Sequence, residues 1–198
     1  LGPVTVISCG LMARPQSGKL RIGDEWNAIV LLARTQTNPL KAVGELVENS
    51  LDARGRRITI LRGRMKGKMY LSILDDGEGI RLDEEGMPDF KYVATHICDS
   101  IKRHLSDGAR TGVHGEFGIG LLGFWSIGDA LHLASKGRDG VIYEMEMKAG
   151  SPKYLIRPAR GKLLLPGTEV TVIPVKESVK KALSGDRLER YLAEELRD

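Results

Sequence analysis

Apolar positions recur along this chain with two different periods, and the changes of period divide it into elements. From about Trp26 to Ala33 they follow helical spacing, and from Leu40 to Ala53 they do so again at Leu40, Val43, Val47 and Leu51. Three-to-four spacing of this kind predicts a helix with one buried face. Asn38-Pro39 stands just ahead of the second run, as an N-cap followed by proline at the first helical position. Ile58–Leu61 and Met69–Leu74 read as two strands joined by a basic turn over Arg62–Lys68. Asp89–Leu105 has a helical pattern, Ser106–Gly118 has the glycine and polar content of a mobile loop, and Ile119–Ile127 opens another helix. Strands follow at Ala130–Ser135, Val141–Lys148, Tyr154–Pro158 and Thr168–Val175, and a charged helix, Asp186–Arg197, comes last. Helices early and antiparallel-style strands late predict an α+β layered arrangement.

Composition narrows the class without changing that picture. With 198 residues, 41% hydrophobic and 28% charged, the chain has enough apolar surface to offset its conformational entropy, which excludes disordered, collagenous and coiled-coil readings. No run of about 18 apolar residues is present, so no membrane span is expected. Leu1–Leu11 lacks a basic n-region and makes a poor signal peptide. Cys9 and Cys98 cannot build a disulfide framework and form no CxxC pair, so the expectation is an intracellular, cytoplasmic protein. The net charge is +4, from 30 basic and 26 acidic residues, far from the dense cationic stripe of a dedicated nucleic-acid binder. The basic cluster Arg54, Arg56, Arg57, Arg62, Arg64, Lys66 and Lys68 reads as a solvated loop and hairpin.

Four segments carry candidate chemistry. In Glu45-Leu46-Val47-Glu48-Asn49-Ser50-Leu51-Asp52-Ala53, Glu45, Asn49 and Asp52 project from one helical face, and the small Ala53 lets the helix end approach another object closely. A carboxylate and a carboxamide one turn apart suit an oriented water and a hard cation. Asp75-Asp76-Gly77-Glu78-Gly79-Ile80 follows an apolar strand and offers one strong acceptor beside concave backbone. Gly115-Glu116-Phe117-Gly118-Ile119-Gly120 leads into a helix within a stretch holding five glycines between Gly112 and Gly123. Free amides and the positive helix end there make an anion cradle. Gly167-Thr168 opens a late strand with a hydroxyl facing the same region. Each segment alone is as well explained by a solvated helix face, an ordinary turn, tight packing or strand propensity. Their joint occurrence in this order is what singles them out. His96, His104 and His114 are too loosely spaced for a metal site and read as exposed loop residues.

In these motifs the sequence resembles the GHKL superfamily: the DNA gyrase B subunit, HtpG-type chaperones, histidine kinases and MutL. The likeness runs from about Leu40 to Val175. KAVGELVENSLDA is closest to MutL and topoisomerase VI B subunits, and GEFGIGLLGF to the chaperone lid. The resemblance implies a Bergerat-type two-layer sandwich, with helices on one face of a mixed, mainly antiparallel sheet. It implies residues 1–25 as an N-terminal arm, 26–178 as the ATP-binding domain and 179–198 as a C-terminal connector helix. It also implies ATP and Mg²⁺ as cofactors, with Glu45 as general base and Asn49 as magnesium ligand. Asp75 is the implied acceptor of the adenine amine, with Gly79 against the base and Thr168 sharing a water with Asp75. Gly115, Gly118 and Gly120 match the phosphate-holding lid turn. Asp52, Ala53, Gly77, Ile80, Phe117 and Ile119 complete the implied nucleotide-binding set.

The activity expected from the resemblance is ATP hydrolysis coupled to lid closure and to an ATP-dependent homodimer, weak in the domain alone, acting on DNA or protein clients and not on membranes. Two alternatives stand beside it: a nucleotide-sensing interaction module with negligible hydrolysis, and a protein kinase of the same superfamily. Gyrase B and MutL contact the γ-phosphate with a lysine from a following transducer domain. The sequence ends too early to include one, so the expectation is a fragment or a minimal module.

Overall fold

Helix α2 (Pro39–Asp52) starts where its sequence dictates: the Asn38 side chain accepts from the Leu40 and Lys41 amides at 3.0 and 3.4 Å, with Pro39 at the first position. This satisfies amides that have no partner inside the helix. Helix α1 (Glu25–Thr35) is capped in the same way by Asp24. The computed structural model describes residues 24–95, 120–159 and 166–196.

The buried arc of α2 comprises Leu40, Ala42, Val43, Gly44, Leu46, Val47 and Ser50. Leu51, expected in the core, is instead 47% exposed. At about 100° per helical residue Leu51 points within about 20° of Gly44, so its exposure is not a matter of facing. Tyr191 lies against Gly44, and Leu51, two turns further on, is left at the uncovered end of the helix.

Strands β1 (Ile58–Met65) and β2 (Lys68–Asp75) pair antiparallel from Ile58↔Asp75 to Met65↔Lys68. Their connection is only Lys66-Gly67, both with positive φ, 51° and 79°, which is the hairpin turn whose twist matches that of the strands. The expected seven-residue basic turn is thus mostly strand. Arg62, placed in that turn by the sequence, lies in β1 and donates to the Leu183 carbonyl.

Beyond β2, residues 90–95 are helical. A 3₁₀ turn (Gly120–Gly123) runs into the short helix α3 (Phe124–Ile127). Then come β3 (Ala130–Lys136), β4 (Ile142–Lys148), β5 (Tyr154–Pro158), β6 (Thr168–Val172) and α4 (Gly185–Glu195). The six strands form one sheet in the order β1-β2-β6-β3-β4-β5, and every ladder in it is antiparallel. This is the expected α+β sandwich.

Alternation along the strands gives the sheet two unlike faces. Leu71, Ile73, Val170, Val172, Leu131, Leu133 and Met145 are buried in one core with Val43, Leu46 and Val47 of α2. The other face is polar: Thr171 Oγ donates to Ser72 Oγ at 2.9 Å, Ser72 Oγ to Glu169 at 3.0 Å, and Arg157 to Glu144 at 2.9 Å. Helix α1 joins through Trp26, whose ring lies 6.1 Å from that of Trp125. Helix α4 sends Leu188 into the main core and rests Tyr191 against Gly44.

The burial along α2 makes a prediction. Leu46→Ala is expected to cost about 2–5 kcal/mol in urea denaturation, the range for deleting a fully buried leucine side chain. Leu51→Ala should stay within about 0.5 kcal/mol of wild type.

Candidate functional site

The buried core of the site is a carboxylate. Asp75 closes β2 at 4% exposure, where burial of an acid costs several kcal/mol unless donors surround it. Four donors do. Oδ1 accepts from the Gly77 amide at 2.9 Å and the Thr168 amide at 3.1 Å. Oδ2 accepts from Ser50 Oγ at 3.1 Å and from the Thr168 hydroxyl. One side chain therefore ties the last turn of α2, the loop after β2 and the start of β6.

Backbone closeness makes this junction possible. Gly167 has φ +129°, and a Cβ there would lie 2.1 Å from the Asp75 carbonyl oxygen, so only glycine fits. Gly79, at φ +75°, packs so closely that a Cβ would sit 3.0 Å from Ser135 Oγ and 3.2 Å from the Gly167 carbonyl oxygen. The Ala53 carbonyl accepts from the Glu78 amide at 2.8 Å, and a Cβ on Gly77 would come within 2.5 Å of it. The close approach expected of the small Ala53 is thus made to this loop. Asp76 accepts from the Arg56 and Arg57 amides at 2.7 and 2.8 Å, which holds its carboxyl below its ordinary value.

The second half of the site lies on the solvent side of α2. Glu45 is half-buried, and burial lifts its carboxyl above its ordinary value; Lys41 lowers it and Glu48 raises it further. Gly120 opens the 3₁₀ turn directly beside it: a Cβ there would lie 2.7 Å from Glu45 Oε2. Asn49, one turn on, is exposed, and among the described residues its side chain has no partner. Asp52 is likewise exposed and unpartnered among the described residues.

The structure thus joins Asp75, Gly77, Thr168 and Ala53 in one hydrogen-bonded junction, sets Gly79 and Ile80 beside it, and puts Glu45 against Gly120. Asp52 stays outside these contacts. Gly115, Phe117, Gly118 and Ile119 lie outside the described residues, as do His96, His104 and His114. Among the described residues no group of three or more His, Cys, Asp or Glu could hold a metal ion, and no helix is long and apolar enough to cross a membrane.

Two participants escaped the sequence. Ser50 was legible in principle, as a polar residue on an otherwise apolar helical arc. Ser135, whose Oγ accepts from the Ile80 amide at 3.1 Å and donates to the Gly167 carbonyl at 3.3 Å, looks like any small strand residue.

Residues 37–151 match the family described as histidine kinase-, DNA gyrase B-, and HSP90-like ATPase. The chain is 29% identical over 153 residues to a DNA mismatch repair protein MutL of Halalkalibacterium halodurans, covering 77% of this chain and 22% of that protein. It is 33% identical over 136 residues to a MutL of Rhizobium etli, covering 68% of this chain and 20% of the relative. The aligned regions thus span about a fifth of the length of these curated relatives.

The junction predicts an ordered pair of substitutions. Asp75→Asn keeps an oxygen for the two fixed amides and turns its NH₂ toward two hydroxyls that can rotate to accept, so it should cost about 1 kcal/mol. Asp75→Ala strands buried amides and should cost about 3 kcal/mol. Urea midpoints measured without added nucleotide check the order, and an alanine variant as stable as wild type contradicts it.

Proposed function

The chain belongs to the histidine kinase-, DNA gyrase B-, and HSP90-like ATPase family, and on that premise we propose that it binds ATP with Mg²⁺ and hydrolyses it. The observation that carries this reading is the placement of Glu45. It is a half-buried glutamate, lifted in pKa, set against glycine backbone and one turn ahead of a carboxamide that has no partner among the described residues. A base raised toward neutrality is better matched to proton transfer from water than a solvated one.

The residues present suit the implied ligands. All four acceptor positions of Asp75 are occupied, but two of the donors are hydroxyls on rotatable bonds. An adenine amine can take the place of either hydroxyl, while the fixed amides keep the carboxylate oriented. A carboxylate accepts and cannot donate, which favours an amine over the guanine carbonyl. Gly79, having no side chain, lets its loop pack against Ser135 and Gly167 beside that acid. Asn49 would hold Mg²⁺ through its amide oxygen; magnesium takes few protein ligands and keeps waters and phosphates for the rest. When bound, the cation neutralises phosphate charge. Glu45 orients the attacking water and accepts its proton, and the amide of Gly120 lies on the same side of the site. Phosphoryl transfer asks for little more than such positioning.

The finer parts of the proposal rest on the family resemblance. Residues 26–178 form the ATP-binding unit, with 1–25 as an arm and 179–198 as a connector, of which Tyr191 rests against Gly44 of α2. Gly115, Phe117, Gly118 and Ile119 contribute to the phosphate side, and Asp52 borders the nucleotide. Nucleotide state drives closure of the stretch up to Gly120 and favours a homodimer. Between DNA and protein as clients, the relatives' role in DNA mismatch repair favours DNA.

Phosphate release by the full chain, with and without Mg²⁺, tests hydrolysis; ATP binding with no release in either case would leave a nucleotide-sensing module. Glu45→Ala should retain ATP affinity within a few-fold and lose hydrolysis by about 100-fold or more, the typical contribution of a general base. Unchanged turnover in that variant contradicts the assignment and makes Glu48 the next candidate.

The same carboxyl sets a pH profile. The base works only when ionised, so kcat should fall on the acid side with a midpoint above the ordinary glutamate value. Glu48→Gln removes a charge that raises the Glu45 pKa, so the midpoint should move down; Lys41→Ala removes one that lowers it, so the midpoint should move up.

A further inference from the structure

Ser135 is 1% exposed near the end of β3, and its hydroxyl makes two bonds of unusual consequence. It donates to the carbonyl oxygen of Gly167 at 3.3 Å, and the amide of Thr168 donates to Asp75 Oδ1 at 3.1 Å. That carbonyl and that amide belong to one peptide unit. The plane is therefore held at both edges, by Ser135 on its oxygen and by Asp75 on its nitrogen. The same hydroxyl accepts from the Ile80 amide at 3.1 Å, which fixes the peptide following Gly79.

The sheet already pairs Ser135 with Thr168; the hydroxyl extends that contact across to the Gly79 loop, which the ladder does not reach. A cavity of about 210 Å³ opens beside the two loops, bounded by Gly79, Ser135, Lys136, Pro166 and Gly167. Glycine on both loops leaves no side chain to wedge them. With φ values of +75° and +129°, their backbones can rotate more freely than those of other residues. A hydroxyl that donates to one loop and accepts from the other closes the gap with a single side chain.

We propose that Ser135 is a positioning residue for the base end of the nucleotide site, setting both the Gly79–Ile80 peptide and the Thr168 amide against Asp75. This rests on the nucleotide reading above. Its action is through backbone, with no contact to the reacting phosphates. Removing the hydroxyl should loosen adenine recognition and leave the phosphate end unaltered.

The test compares Ser135→Ala with Ser72→Ala in the full chain. Ser72 is also a buried strand serine bonded through its hydroxyl, but on the polar face of the sheet. Calorimetric Kd values for ATP and ADP, kcat and thermal midpoints are measured for both. Ser135→Ala is expected to weaken ATP and ADP by similar factors of about tenfold, the scale of two hydrogen bonds, with kcat nearly unchanged. Ser72→Ala should lower the thermal midpoint comparably and keep wild-type affinities. Ser135→Cys retains the shape with a weak donor and acceptor and should also lose affinity, so it decides the matter if the alanine variant does not fold. Wild-type affinity in the Ser135 variants, or an equal loss in Ser72→Ala, overturns the proposal while leaving the nucleotide reading intact. Failure of the wild-type chain to bind either nucleotide overturns both.

Discussion

The buried carboxylate of Asp75 is the constraint on which the arrangement depends. An acid at the end of a core strand must be surrounded by donors or the strand cannot end there. Meeting that demand orients α2 so that Ser50 faces inward, brings the start of β6 beside the end of β2, and folds Gly77 back onto the carboxylate. Once these are met, little freedom remains for the elements between them. The register Leu74↔Glu169 places Thr168 next to Asp75, and the glycine before it passes where no side chain fits.

This explains why some of the molecule was legible in sequence and some was not. Asn38-Pro39 announces α2 because capping is local chemistry, read from two adjacent residues. The strands from Ala130 onward came out within about a residue or two, except for the end of β6, because their apolar alternation is imposed by one buried face. Leu51 misled because spacing tells which way a helical residue faces and not whether another element covers it: Gly44, on the same side two turns earlier, lies under Tyr191, while Leu51 is left exposed. The β1–β2 turn misled because charge looked like loop. Arg62 and Arg64 in fact lie in β1 at the edge of the sheet, where charged residues deter pairing with another strand.

Site residues divide in the same way. Glu45, Asn49, Asp75 and Thr168 stood out as candidates because they sit in compact motifs whose residue types are unusual together. Ser135 is separated from Ile80 by 55 positions and from Gly167 by 32, and a serine inside a strand advertises nothing. Its importance exists only once three segments have met. Residues that act by bonding backbone are invisible to reasoning from side-chain type, since any loop can supply the carbonyl or the amide.

Helix α2 then does two tasks with one rigid body. Ser50, near its C-terminal end, reaches the acid that the proposal assigns to the base of the nucleotide, and Glu45 bears the group assigned to the phosphate end. Five residues separate them, about 7.5 Å along the axis at 1.5 Å per residue. A hydrogen-bonded helix holds that spacing more firmly than two loops could, because shortening or stretching it breaks the backbone ladder. The Leu46 and Val47 side chains between those points, with Val43 just ahead of them, anchor it in the core, so recognition at one end and water activation at the other are referenced to the same core. Under the proposed function, α2 measures a ligand carrying an amine at one end and a phosphate at the other, and a ligand of the wrong length meets only one of its two groups.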